Sequence, residues 1–269
     1  MEHREKPLLE KRIAVVTAVK GSLGEGIARR FGREGAVVVA VDADREAAKR
    51  CAALITDAGG TAIARGADIL APGEAVRLCR EVADELGGLD ILVNAGQATT
   101  PVAPLRDKDP DNFGRAFREG PLAAILMMQA AYPHLQARGG GRIVNVGSFY
   151  GPTANCGVVD AVASDGALAA LTRAAGVEWA RENILVNFLQ AGAPDIPEFH
   201  AYRQADRDAV DGLVANLALG RLADPVEDVG GAATFLASDE GCFVVGHTIF
   251  ADGGQHLAAP AYDPGFKVV

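Results

Sequence analysis

The chain has 269 residues, 49% hydrophobic and 23% charged, which suits one large domain with a sizeable core. A net charge of −9 argues against nucleic acid or an anionic membrane surface as a partner. The four cysteines (Cys51, Cys79, Cys156, Cys242) form no CxxC pair and read as buried thiols of a reducing compartment, with no disulfide and no metal site. No run approaches 18 apolar residues, and the charged start leads to no signal-peptide core, so a cytoplasmic protein outside the membrane is expected.

Apolar runs of strand length alternate with longer segments of helical period. Arg12–Thr17 is the first predicted strand, followed by a glycine-bearing turn and a helix over Gly24–Glu34. Ala36–Val41 is the second strand, and its helix Arg45–Ala58 is capped by Asp44. Thr61–Arg65, a helix Pro72–Leu86 and the strand Asp90–Asn94 follow. One long helix is expected over Asp111–Ala137, then the strand Ile143–Val146, a helix Ala161–Arg181 and the strand Ile184–Phe188. Ala193–Ala215 is polar and irregular and reads as a lid over the site. Asp224-Pro225-Val226-Glu227 starts a helix running to Ala237, with aspartate as cap, proline first and glutamate as in a capping box. Thr248–Phe250 is the last strand. Buried strands separated by helices predict an α/β, Rossmann-like, doubly wound domain with about seven parallel strands. We assign residues 1–10 to an extension, 11–255 to the domain and 256–269 to a tail.

The loop Thr17–Gly26 is where a dinucleotide pyrophosphate would meet a helix start, although it does not read GxGxxG; a plain tight turn is the alternative. Asp42, ending the second strand, can accept from both ribose hydroxyls of NAD and would repel a 2′-phosphate, or is a solvated carboxylate. Asp68 and Ile69 could border an adenine ring. Asn94-Ala95-Gly96 lets a cofactor approach the backbone, or only lets the chain turn. Ser148, after the fifth strand, reads as a strand-end hydroxyl making a turn hydrogen bond. His134 and His200 show no partner and read as surface residues.

From Lys11 to Gly254 these pieces resemble the short-chain dehydrogenase/reductase family, with Gly220–Asp239 and Val245–Gly254 similar to its closing signature. The resemblance implies NAD as cofactor, held by Thr17, Ser22, Gly24, Asp42, Asp68, Ile69, Asn94 and Gly96, with weakened contacts in this chain. Of the family's TGxxxGxG, Thr17 and Gly24 match, while the first two glycines fall on Ala18 and Ser22. NNAG is one residue short. The family's helix asparagine falls on Gly120, and its threonine after PG is missing from Ala193–Ile196. The resemblance puts Ser148 on the family's carbonyl-orienting serine, the one catalytic position kept; counted from it, the family tyrosine falls on Ala161 and its lysine on Asp165. No YxxxK exists elsewhere: Tyr132, Tyr150, Tyr202 and Tyr262 have Gln136, Ala154, Asp206 and Phe266 four residues on.

Ala161 has no proton to give, and a carboxylate at Asp165 reverses the charge that lowers the family tyrosine's pKa. Asp160 could take over but reads as a helix cap, and Tyr150 and Cys156 lie in the adjoining loop. The expectation is therefore a non-catalytic subunit paired with an active paralogue in a heterodimer or heterotetramer acting on a small molecule or acyl-CoA. The interface helices that the resemblance implies, Asp111–Ala137 and Ala161–Arg181, are well patterned. The pattern of losses resembles the inactive-subunit type in the dehydrogenase of anaerobic toluene degradation. The rival expectations are an active oxidoreductase with a relocated or substrate-assisted proton donor, and a binding protein that senses NAD(H) or a metabolite.

Overall fold

The computed structural model describes residues 6–21, 23–151, 156–197, 199–200, 211–212, 214–215 and 217–257. Seven strands, β1 (Ile13–Thr17), β2 (Val37–Asp42), β3 (Thr61–Gly66), β4 (Ile91–Asn94), β5 (Gly141–Gly147), β6 (Ile184–Ala191) and β7 (Thr248–Ala251), form one sheet. Their order is β3-β2-β1-β4-β5-β6-β7 and every pairing is parallel. β1, β4, β5 and β6 are buried along their whole length, which is why they read as continuous apolar runs and not as alternating ones.

Helices cover both faces. α1 (Leu23–Arg33), α2 (Arg45–Asp57) and α7 (Gly230–Ala237) pack one face through Ile27, Phe31, Ile55 and Leu236. α3 (Glu74–Leu86), α5 (Ala123–Ala137) and α6 (Val159–Trp179) pack the other through Leu78, Met127, Met128 and Leu135. Leu9 is fully buried in the first core, so the approach to β1 is part of the packing. The chain builds outward from β1 to β3, then restarts with β4 on the other side of β1. That reversal opens a crevice at the carboxyl ends of β1 and β4, where ligands of such sheets sit.

The predicted helix Asp111–Ala137 is broken. α4 (Pro110–Phe117) ends in a π-helical turn, Arg118–Leu122, before α5 begins. Pro121 lacks the N–H an α-helix needs there, and the wider turn absorbs the misfit. α3 starts later than Pro72 because Gly73 is left-handed, at φ +77°. The cap at Asp224 is as expected, accepting from the N–H groups of Val226 and Glu227. The reciprocal bond comes from Asp228 and not Glu227, which instead meets Arg30 and Arg33 of α1.

Cys51 and Cys79 are buried, and burial pushes both thiols up to about 12. Cys156 and Cys242 are exposed, against the expectation of four buried thiols. Cys156 stands in a loop and Cys242 just past a terminal turn, where no layer covers them.

The contact between α1 and the turn at Pro225 gives a paired prediction. A Cβ at Gly26 would lie 2.4 Å from the Pro225 Cβ, while one at Gly231 meets nothing within 4 Å. Gly26→Ala is expected to lower stability by about 1–3 kcal/mol in urea unfolding. Gly231→Ala is expected to be neutral or stabilising by up to about 1 kcal/mol.

Candidate active site

The crevice has two ends. At the first, β1 runs into a turn in which Ala18 adopts φ +55°, a left-handed conformation usually left to glycine. Gly24 has no room for a side chain, since a Cβ there would lie 2.5 Å from the Ala18 carbonyl oxygen. Its glycine is thus required by helix–strand packing. Ser22 lies outside the described residues. Thr17 faces the sheet: its hydroxyl donates to the Val93 carbonyl at 3.3 Å and accepts from the Ala95 N–H at 3.2 Å, tying β1 to β4. Asn94 also holds strands together. Its amide donates to Asn145 Oδ1 at 2.8 Å, and Asn145 donates to Thr172 Oγ1 at 2.9 Å.

Asp42 stands at the carboxyl end of β2, half-buried. Its Oδ2 accepts from the Lys20 N–H at 3.1 Å and its Oδ1 from the Asp44 N–H at 2.9 Å. The Lys20 ammonium lies 3.0 Å from Asp44 Oδ2. Asp68 is exposed and accepts from the Leu70 N–H at 3.1 Å, while Ile69 packs partly against the second core. Gly96 ends the segment after β4, with the Glu119 carbonyl oxygen 3.3 Å from where a Cβ would sit.

At the second end, Ser148 follows β5 and Asp165 lies on α6. Asp165 Oδ2 accepts from the Ser148 hydroxyl at 2.7 Å and from the Ser148 N–H at 2.9 Å. Gln190 of β6 donates its side-chain amide to the Ser148 carbonyl. The cluster is interior: Ser148 is 7%, Asp165 6% and Gln190 4% exposed. Burial pushes the Asp165 carboxyl up to about 6, against the pull of the hydrogen bonds from Ser148 and Gln190. The turn after Ser148 presses on the cluster, for a Cβ at Gly151 would lie 2.4 Å from Asp165 Oδ2. The hydroxyl partner of Ser148 is therefore a side chain on α6, not the turn expected from sequence; only the Ser148 carbonyl takes a turn bond, from Gly151.

Three other expectations change. Asp160 is not the N-cap of α6, which is Val158, though its Oδ1 accepts from the Ala161 N–H at 3.0 Å in the first turn; it is fully buried and paired with Lys108 at 2.9 Å. Lys108 also donates to the carbonyls of Pro101 (2.6 Å) and Gly157 (3.2 Å), fastening the β4–α4 loop to the approach to α6. His200 is not alone: exposed, it has Asp195 at 2.5 Å, five residues before it. Gly120 is not merely vacant of the family's amide: a Cβ there would lie 2.5 Å from Ser164 Oγ, which donates to the Ala116 carbonyl. The Ala193–Ala215 segment falls partly outside the described residues; within the rest, Phe199 packs on Ala193 and near Phe149.

Sequence reasoning missed Gln190, Lys108 and Gln255. Gln255 is 3% exposed; it accepts from the Ala193 N–H at 3.2 Å and donates to the Phe149 carbonyl at 2.8 Å. The signal for Gln190 was a polar residue inside the fully buried β6. The residues fit a dinucleotide unevenly. Asp42 offers an oriented carboxylate where a ribose diol would lie; at the other end, Asp165 and Ser148 bind one another, and a carboxylate stands where the resemblance expects an ammonium.

No metal-binding cluster occurs among the described residues, and no described helix is long and apolar enough to cross a membrane. A family model described as enoyl-(acyl carrier protein) reductase matches residues 17–256. The cis-4-hydroxycyclohexanecarboxylate dehydrogenase of Sinomonas cyclohexanicum is 37% identical over 91% of this chain and 96% of its own length. The 4-formylbenzenesulfonate dehydrogenase of Comamonas testosteroni is 30% identical over 93% of this chain and 99% of its own. A crystal structure from Beutenbergia cavernae, described as a candidate NAD(P)-dependent gluconate 5-dehydrogenase with NADP bound at low occupancy, superposes with a TM-score of 0.84. It shares 33% identity and covers 93% of this chain and 98% of that one.

Two measurements test this geometry. Asp165 holds its proton more tightly in the folded chain than in the unfolded one, so stability falls as pH rises from about 4 to 6, by roughly 3 kcal/mol in all. Asp165→Asn should flatten that dependence in denaturant unfolding between pH 4 and 7. Lys108→Met leaves a buried carboxylate unpaired and should cost about 3–5 kcal/mol at pH 7.

Proposed function

From a chain that belongs to the short-chain dehydrogenase/reductase family, we propose a subunit with no chemistry of its own. It is the non-catalytic member of a hetero-oligomeric NAD-dependent dehydrogenase that oxidises a hydroxyl group to a ketone, and an active paralogue supplies the acid/base residues. The observation that carries this reading is the Ser148 hydroxyl, bound at 2.7 Å to a buried carboxylate on α6. Oxidising an alcohol requires a group that takes the hydroxyl proton as hydride leaves. Ala161 offers none, and Asp165 is turned to the protein's own serine.

An exposed apolar surface supports this reading. Phe117, Leu122 and Ile125 face Ala167 and Leu171 across an open apolar groove between the α4–α5 segment and α6. Val177 is 81% exposed on α6. Exposed apolar residues gathered along helices suit a partner of matching shape. The ring-bearing compounds in the two relatives' names, together with the likeness to the inactive subunit of anaerobic toluene degradation, direct the first substrate tests to hydroxyacyl-CoA compounds of aromatic breakdown. A cytoplasmic setting belongs to the same reading.

One observation favours a relocated proton acceptor: the carboxyl that titrates near 6 is hydrogen-bonded to a serine hydroxyl. Its burial argues the other way, since an acid or base must reach the reacting oxygen.

Purified alone, the chain is expected to show alcohol oxidation at least 10²–10⁴-fold below that of an active family member, the loss typical for a missing general base. Co-expressed with an active paralogue from its own host, it should purify in fixed stoichiometry by native mass spectrometry. A self-sufficient homo-oligomer with ordinary turnover would contradict the proposal.

A further inference from the structure

We infer that the two ends of the nucleotide crevice have separated in function: the adenosine end takes an adenine ribonucleotide, and the nicotinamide end is closed to the reactive riboside. The inference rests on the chain being a non-catalytic family member, and it names the ligand class such a subunit would hold.

At the adenosine end, Asp42 is aimed by the chain itself. Each carboxylate oxygen accepts one backbone N–H, from Asp44 and from Lys20, which fixes the group while leaving further lone pairs for a vicinal diol. Lys20 offsets the neighbouring charge of Asp44, so Asp42 is not facing a bare second carboxylate. β3 pairs with β2 as far as Asp42, which stands opposite Gly66, and Ile69, half-buried after β3, provides an apolar surface one strand away for a flat ring.

Among the described residues, the other end is filled. A residue that touches a ligand has to be reachable from the crevice, and Ser148, Asp165 and Gln190 are each under a tenth exposed. Their hydrogen bonds close on one another: hydroxyl and N–H to carboxylate, amide to carbonyl. Gln255 spans from the Ala193 N–H to the Phe149 carbonyl, joining the loop after β6 to the loop after β5. In the family resemblance, the nicotinamide is held beside the segment after β6. Here that segment's N–H is taken by a glutamine that is 3% exposed. Opening this end would break these hydrogen bonds and leave interior donors and acceptors unpaired.

The test is isothermal titration of the full chain with ADP-ribose, NADH and nicotinamide mononucleotide, with NADH fluorescence recorded in parallel. ADP-ribose and NADH are expected to bind with dissociation constants within tenfold of each other. The mononucleotide should give no heat, and nicotinamide emission should not change on binding. Asp42→Ala should weaken ADP-ribose and NADH together by at least tenfold; Asp42→Asn serves if the alanine variant does not fold. NADH binding more than tenfold tighter than ADP-ribose, any heat from the mononucleotide, or no binding of ADP-ribose would each overturn the inference. Assembly with a paralogue is read separately by native mass spectrometry, so either result can fail without the other.

Discussion

A single carboxylate organises the middle of this molecule. Asp165 sits inside the protein, where a charge is costly unless hydrogen-bonded. It is satisfied by Ser148, which provides both an N–H and a hydroxyl. Gln190 then fixes the Ser148 carbonyl, so α6, β5 and β6 meet at one polar knot at the carboxyl edge of the sheet. The Ser148 N–H and hydroxyl both donate to one oxygen of the Asp165 carboxylate, so the two residues are a matched pair of donor and acceptor. The three residues join a strand end, a helix and a neighbouring strand at one place.

The surroundings follow the same logic. Gly120 leaves space that Ser164 fills, and the serine hydroxyl takes the Ala116 carbonyl freed beside the π-helical turn. Lys108 and Asp160 form a buried pair that pins the loop after β4. Gln255 bridges the loops after β5 and β6. Each commits a polar group to the chain itself. The sheet and its two helical layers, by contrast, are complete.

The strands were legible because burial on both faces writes unbroken apolar runs, as in Val37-Val38-Val39-Ala40-Val41. Asp224 was legible as a cap because capping is local, spanning three residues. The break at Arg118–Leu122 was signalled by Gly120-Pro121, yet the apolar pattern continues through it and hid the change of register. The pairing of Lys108 with Asp160, 52 positions apart, and of Gln255 with Phe149, 106 apart, depends on tertiary folding and leaves no local periodic trace. Thr17 and Asn94 were placed at the right end of the sheet, but whether a strand-end polar group faces the crevice or its neighbour strand is set by the twist of the sheet. Asp165 was marked by its charge as unusual, but its partner could be found only once α6 was laid beside β5.

The most direct measurement is a carbon-13 titration of the side-chain carboxyls, with Asp165 assigned by its loss in Asp165→Asn. The account predicts a midpoint near 6, with the Ser148 amide proton shifting over the same pH range. A midpoint near the ordinary aspartate value of 3.8, with the Ser148 amide indifferent to it, would mean that the carboxylate faces solvent and that the knot does not exist.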